Sequence, residues 1–214
     1  MSAISGVVGS LVNESDAQRD AAAMSAVLEQ RAPDEERSYR GAGDDQALLA
    51  FRLLRAAPGE QSPGVVTSED QSLVMVCDGH VFNHGDVRSW LEGKGHRITG
   101  AHSSELLLHL YEEEGPAGWK RADAQFALAI WDRRRKQLVL GRDFLGVRAV
   151  YYTNGPRGVV FASEIKALLQ HSSVPRGVDE TAVSDFLTFT SVPGPRTLFE
   201  GIFKLSPGHC ATFG

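Results

Sequence analysis

The chain has 214 residues, 42% of them apolar, which allows one large or two small domains with a full core and does not suggest disorder. A formal net charge of −5 excludes a dominant phosphate-binding surface, so no nucleic-acid partner is expected. No apolar run approaches the ~18 residues of a membrane span and no leader pattern precedes a cleavage site, so the expected place is the cytoplasm, away from any membrane.

The first stretch, Ile4 to Val8, reads as a short buried strand. Asp16 to Arg31 carries Ala17, Ala21, Met24 and Leu28 at helical spacing, with Ser15 or Asp16 as cap, and ends before Pro33. Residues 47–54 and 72–78 are apolar enough for buried strands, separated by a loop marked by Pro and Gly. A turn is expected at Asp78-Gly79, leading to a helix capped by Asn83 and closed by Gly93 and Gly95. A helix follows from Ser103, with Ser103 itself as N-cap, and stops at Gly115.

Three strand-like runs come next, 125–131, 137–142 and 147–152, then a hairpin at Asn154-Gly155 into Val159–Phe161. The basic run Arg133 to Lys136 lies between two of these strands and reads as a solvated hairpin tip. Short helices are expected from Ser163 to Gln170 and from Asp179, the latter with Val183, Phe186 and Leu187 inward. The tail, 191–214, is rich in Pro and Gly, with β-like pieces at Leu198–Phe203 and His209–Phe213 and more apolar side chains than a free terminus usually carries. Hairpin-paired strands with helices in separate groups favour an α+β fold with antiparallel sheets. Cys77 and Cys210 are expected as reduced thiols, and no CxxC or Cys/His cluster has metal spacing, so no metal site is expected.

The N-terminus carries the chemical question. Removal of Met1 before a small residue leaves Ser2 with a free amine, a nucleophile and a base on one residue, although Ser2 also fits as no more than the small residue that favours Met removal.

The runs Phe126–Asp132, Gly141-Arg142-Asp143 to Gly146-Val147-Arg148, Tyr151-Tyr152 and Phe161–Leu169 closely resemble the N-terminal half of glutamine-dependent asparagine synthetases. Arg31-Ala32-Pro33-Asp34, Asp78–His84, Glu105–Gly115 and Val192–Thr197 match in the same order, so the likeness covers essentially the whole chain. It implies the N-terminal-nucleophile (Ntn) hydrolase sandwich, a four-layer αββα fold in which residues 1–190 form a glutaminase-like domain and 191–214 a tail leading toward a synthetase domain. The Ser-Gly-Gly-x-Asp-Ser pyrophosphate loop of that synthetase does not occur in the 214 residues. The implied partner is therefore a pyrophosphate-loop synthetase, in cis or in trans, or a second copy of the chain, with ATP and Mg belonging to the synthetase and no cofactor to this chain.

The site residues depart from the family's pattern. Ser2 replaces the nucleophilic Cys, and Asp78 with Gly79 stands where an Asn and a Gly form the oxyanion site. His80 and Ser103 replace two carboxylates that hold the glutamine ammonium, while Arg52 matches the Arg that binds its carboxylate. Loss of one oxyanion donor costs about 10²–10³ in rate, and a carboxylate at that position repels the developing charge as well. The resemblance thus implies a degenerate member, like the β-lactam synthetase and lasso-peptide cyclase branches, with the glutaminase lost. Other readings stand beside this one. Arg52 either binds a carboxylate or pairs with Asp78, His80 is a polar turn residue or a base, and Ser2, His80 and Asp78 could form a nucleophile–base–orienter trio in an amidohydrolase. Cys77 should face away from Asp78.

Overall fold

The computed structural model describes residues 2–13, 15–55, 63–100 and 102–214. Along the chain these form β1 (Ala3–Gly9), α1 (Ala17–Val27), β2 (Glu35–Arg40), β3 (Ala47–Leu53), β4 (Val65–Thr67), β5 (Leu73–Val81), α2 (His84–Gly93), α3 (Ser103–Glu114), β6 (Ala124–Asp132), β7 (Gln137–Arg142), β8 (Tyr151–Gly155), β9 (Gly158–Ala162), α4 (Ile165–Leu168), α5 (Glu180–Phe189), β10 (Phe203–Lys204) and β11 (Cys210–Phe213). One sheet has the order β10-β8-β9-β1-β3-β2 and the other β11-β7-β6-β5-β4, with every pairing antiparallel.

The period-2 alternation of the strands builds four layers. Ile4, Leu49, Phe51 and Phe161 from the first sheet meet Val74, Val76, Ala129 and Leu140 from the second. On the outer face of the first sheet, Ala3, Val7 and Ala162 pack on Met24 of α1, on Leu28 at its end and on Leu168 of α4. Across the second sheet, Met75, Cys77 and Leu128 pack on Leu91 of α2 and on Leu106, Leu107 and Leu110 of α3. Each fully buried Leu, Ile or Phe contributes about 1.5–3 kcal/mol.

Several sequence expectations are corrected. The Asp78-Gly79 pair is strand interior and not a turn, because β6 supplies partners as far as Val81 and Gly79 pairs with Phe126. A Cβ on Gly79 would lie 2.9 Å from both Cys77 Sγ and the Phe126 Cβ, so glycine here serves close packing. The run 147–152 becomes β8 only at Tyr151, and the β8–β9 turn falls at Pro156-Arg157. Phe186 and Leu187 of α5 do not point inward; they are exposed, whereas Ala182 is buried. The charged strand β2 had no apolar signal in the sequence, and the short strand β4, with Val65 and Val66, falls inside the expected loop; residues 56–62 of that loop lie outside the described residues. The tail joins the sandwich, since β10 and β11 extend both sheets. Arg133, Arg134 and Arg135 form the expected hairpin tip and pair with Asp45, Asp70 and Asp132.

Two buried charges hold the segments that border the candidate site. Arg142 donates to the carbonyls of Arg148 (2.7 Å), Leu205 (2.6 Å) and Gly146 (2.5 Å). The carboxylate of Asp143 accepts from Val147, Arg148 and Phe126 N–H. At the start of α3, Glu105 accepts from Thr99 N and Oγ1 and from Gly100 N, each at 2.8 Å. Burial pushes the Glu105 carboxyl up, but these hydrogen bonds outweigh it and hold its pKa below the ordinary value.

Arg142→Leu removes the fork from three carbonyls and is expected to destabilise the chain by about 3–5 kcal/mol in urea unfolding, with Arg142→Lys recovering less than half of the loss. Glu105→Ala leaves buried N–H groups unpaired and is expected to cost about 1–3 kcal/mol. A depressed folded pKa stabilises fully above the unfolded value of about 4.3 and loses that contribution as pH falls through the folded value. Unfolding curves on either side of pH 4 should therefore show less acid sensitivity in Glu105→Ala than in the parent.

Candidate active site

Ser2 sits immediately before β1, and the Ala3↔Arg52 register of β1 with β3 places Arg52 on the same face as Ala3, toward α1. Asp78 stands on the alternate face of β5 from Cys77. Cys77 faces the α2–α3 layer as expected, and burial pushes its thiol well above the ordinary range. Asp78 is buried, and its Oδ1 accepts from the Ser2 N–H at 3.2 Å. Its Oδ2 lies 3.3 Å from Arg31 Nη2 and 3.8 Å from Arg148 Nη1. Burial raises the Asp78 pKa, with Arg148 and Arg31 acting in the opposite direction.

Arg31 spans the cleft. Its Nε donates to the Ser2 carbonyl at 2.9 Å, and its Nη1 lies 3.4 Å from Glu164 Oε1. Glu164 in turn pairs with Lys166 at 3.0 Å. Chemically this is an ion network beside Ser2 in which Asp78 faces Arg31 and Arg148, and Glu164 faces Arg31 and Lys166.

Of the two readings of Arg52, the pair with Asp78 is not formed. Arg52 donates to the Ala32 carbonyl (3.1 Å) and to Glu36 Oε2 (3.0 Å), and Glu36 Oε1 also accepts from Ser25 Oγ. Register is the reason, since Arg52 and Asp78 lie on opposite faces of their respective layers. His80 lies on the extended strand two residues beyond Asp78, but it is exposed and packs edge-on against Phe82 at 5.0 Å. Ser103 is not the N-cap; His102 holds that position, and Ser103 Oγ accepts from Val81 N–H at 2.9 Å, pinning the end of β5 to α3. Gly79 lies in the ladder beside Asp78. Ser2 and Asp78 are thus brought together, His80 points outward, and Arg52 serves a neighbouring network. Met1 lies outside the described residues.

Arg31, Arg148 and Glu164 were given no role by the sequence reading. The available signal was an acidic residue in an apolar strand, which needs cationic partners, and arginines in the matched segments that could supply them.

Comparison with known proteins bears directly on this geometry. The profile of the glutamine amidotransferase domain family matches residues 1–214. Asparagine synthetase (glutamine-hydrolysing) 3 of Bacillus subtilis is 31% identical over 193 residues, covering 89% of this chain and 31% of that protein. Asparagine synthetase 2 of the same organism is 30% identical over 80% of the chain and 24% of its own length. The chain therefore spans about a third or less of the relatives it matches. Among solved structures, the glutamine phosphoribosylpyrophosphate amidotransferase of B. subtilis superposes with a TM-score of 0.60 at 16% identity, over 78% of this chain and 42% of that one, which supports the Ntn-hydrolase sandwich as the fold. On the match along its whole length, the chain belongs to the glutamine amidotransferase domain family of the class II type, with asparagine synthetases among its relatives.

Proposed function

We propose that this chain is an amidotransferase domain in which glutamine hydrolysis has been lost, and that it serves as the docking half of an ATP-dependent, amide-forming synthetase, in cis or in trans, in the cytoplasm. The observation that carries the reading is Asp78. The family's oxyanion position holds a buried carboxylate, flanked by Arg31 and Arg148 and bonded to Ser2 N–H. An oxyanion forming there meets a like charge in place of a donor, and the rate loss exceeds the 10²–10³ of a missing donor alone by an amount that repulsion sets.

Two further features support it. In a chain that has lost Met1, the Ser2 nitrogen is an amine 3.2 Å from Asp78 Oδ1, and a carboxylate at that distance favours the ammonium, the wrong form for a general base. Arg52, the expected carboxylate anchor, is already engaged by Glu36 and Ala32. For docking, the adjacent Phe144 and Leu145 are 85% and 75% exposed, and Leu187 is 77% exposed, apolar surface that a partner would cover. In this reading residues 191–214 lead toward the partner, anchored by β10 and β11, and ATP and Mg are handled by the partner's pyrophosphate loop.

The test is release of ammonia and glutamate from glutamine by the chain, Ser2→Ala and Ser2→Cys, after an intact-mass check of the N-terminus. All three are expected at the blank rate. Turnover by the parent that disappears in Ser2→Ala would instead identify an N-terminal-serine amidohydrolase, or a residual glutaminase feeding a synthetase.

A further inference from the structure

A second cluster of chemistry-bearing side chains lies between α2 and α3, outside the cleft at Ser2. His96 sits in the turn that follows α2, and His109 and Glu112 are three residues apart on α3, a spacing that places them on one helix face. Three of their atoms converge. His96 Nδ1 is 3.0 Å from His109 Nδ1, which is 2.6 Å from Glu112 Oε2, and His96 Nδ1 is 3.9 Å from that same oxygen. A tetrahedral ion with bonds of about 2.0–2.1 Å holds its ligand atoms about 3.3 Å apart, and the three separations of 2.6, 3.0 and 3.9 Å straddle that value. Side-chain shifts of under about 1 Å therefore bring all three atoms onto one ion.

Proton accounting leads to the same point. Glu113 Oε1 lies 2.9 Å from His96 Nε2; a carboxylate there accepts the Nε2–H and leaves Nδ1 with a lone pair. The Glu112 carboxylate only accepts, so in the cluster by itself one proton, on His109 Nδ1, has to serve two acceptors. A divalent cation replaces that proton and satisfies all three atoms. The Glu113–His96 contact is also the carboxylate–histidine arrangement that orients metal-bound imidazoles.

We propose that His96, His109 and Glu112 form a site for a divalent transition metal, with Zn²⁺ the best-fitting ion and Glu113 a positioning residue for His96. Two imidazoles and a carboxylate suit Zn²⁺, Ni²⁺ or Cu²⁺, whereas Mg²⁺ and Ca²⁺ require oxygen ligands. The His109 side chain is buried, while those of His96 and Glu112 are 15% and 24% exposed, which gives an ion a way in and a face for a water as fourth ligand. Binding moves the proton off His109 Nδ1, and the neutral ring carries it on Nε2 as the other tautomer, leaving the Nδ1 lone pair for the ion. The ion then ties the turn after α2 to α3, which covers the second sheet.

The test is calorimetric titration of the metal-free 214-residue chain with ZnCl₂ and, separately, MgCl₂. One saturable Zn²⁺ site per chain and no Mg²⁺ binding are expected. His96→Gln and Glu112→Gln alter partly exposed side chains and should each weaken Zn²⁺ binding by about tenfold or more, with folding checked by circular dichroism. Glu113→Gln should weaken it by about 10–100-fold while keeping the stoichiometry, and His209→Gln should leave it unchanged. No saturable Zn²⁺ binding by the folded chain, or binding that His96→Gln and Glu112→Gln leave intact, overturns the proposal.

Discussion

The site is organised by a carboxylate taken out of water. Desolvating Asp78 costs several kcal/mol, and its position between Arg31 and Arg148, with the Ser2 N–H on its other oxygen, offsets that cost. Because Arg31 also holds the Ser2 carbonyl and faces Glu164, the first residues of β1, the segment before Pro33 and the start of α4 are joined through a single guanidinium. The fold that matches glutamine amidotransferases is retained, and in the reading proposed above the groups of the cleft are engaged with one another.

That arrangement rests on parts more remote from the cleft. Arg148 is presented by a loop whose carbonyls are gathered by Arg142 and whose N–H groups are gathered by Asp143. The same Arg142 reaches Leu205, so the tail that forms β10 and β11 is tied to the loop bearing Arg148. Phe144 and Leu145 project from this loop into solvent.

Much of the fold was legible because short apolar runs mark the strands, while the four-layer sandwich was implied by the resemblance of the matched segments. The structure then sorts the faces: Ile4, Val8, Val74 and Val76 lie between the sheets, and Val7 and Met75 face the helices. What failed depended on partners distant in sequence. Asp78-Gly79 carries a local turn signal, yet β6 pairs with β5 beyond it, and tertiary pairing overrides local preference. α5 shows helical spacing of Val183, Phe186 and Leu187, but nothing among the described residues covers Phe186 and Leu187 enough to bury them. In the site, residue identities were readable and their pairings were not. Arg52 and Asp78 looked like natural partners until the Ala3↔Arg52 register put Arg52 on the α1 face. The His96–His109–Glu112 group was hidden for the same reason, since the turn after α2 and the middle of α3 meet only once the helices pack.

The central claim is that the cleft at Ser2 is filled by its own ion network and no longer accepts glutamine. The most direct measurement is titration of the chain with L-glutamine by calorimetry or by the chemical shifts of residues around Asp78. The account predicts no saturable binding stronger than about 1 mM, roughly −4 kcal/mol. Saturable binding below that value, abolished by Arg52→Ala, would show that Arg52 releases Glu36 to hold a substrate carboxylate, and would contradict it.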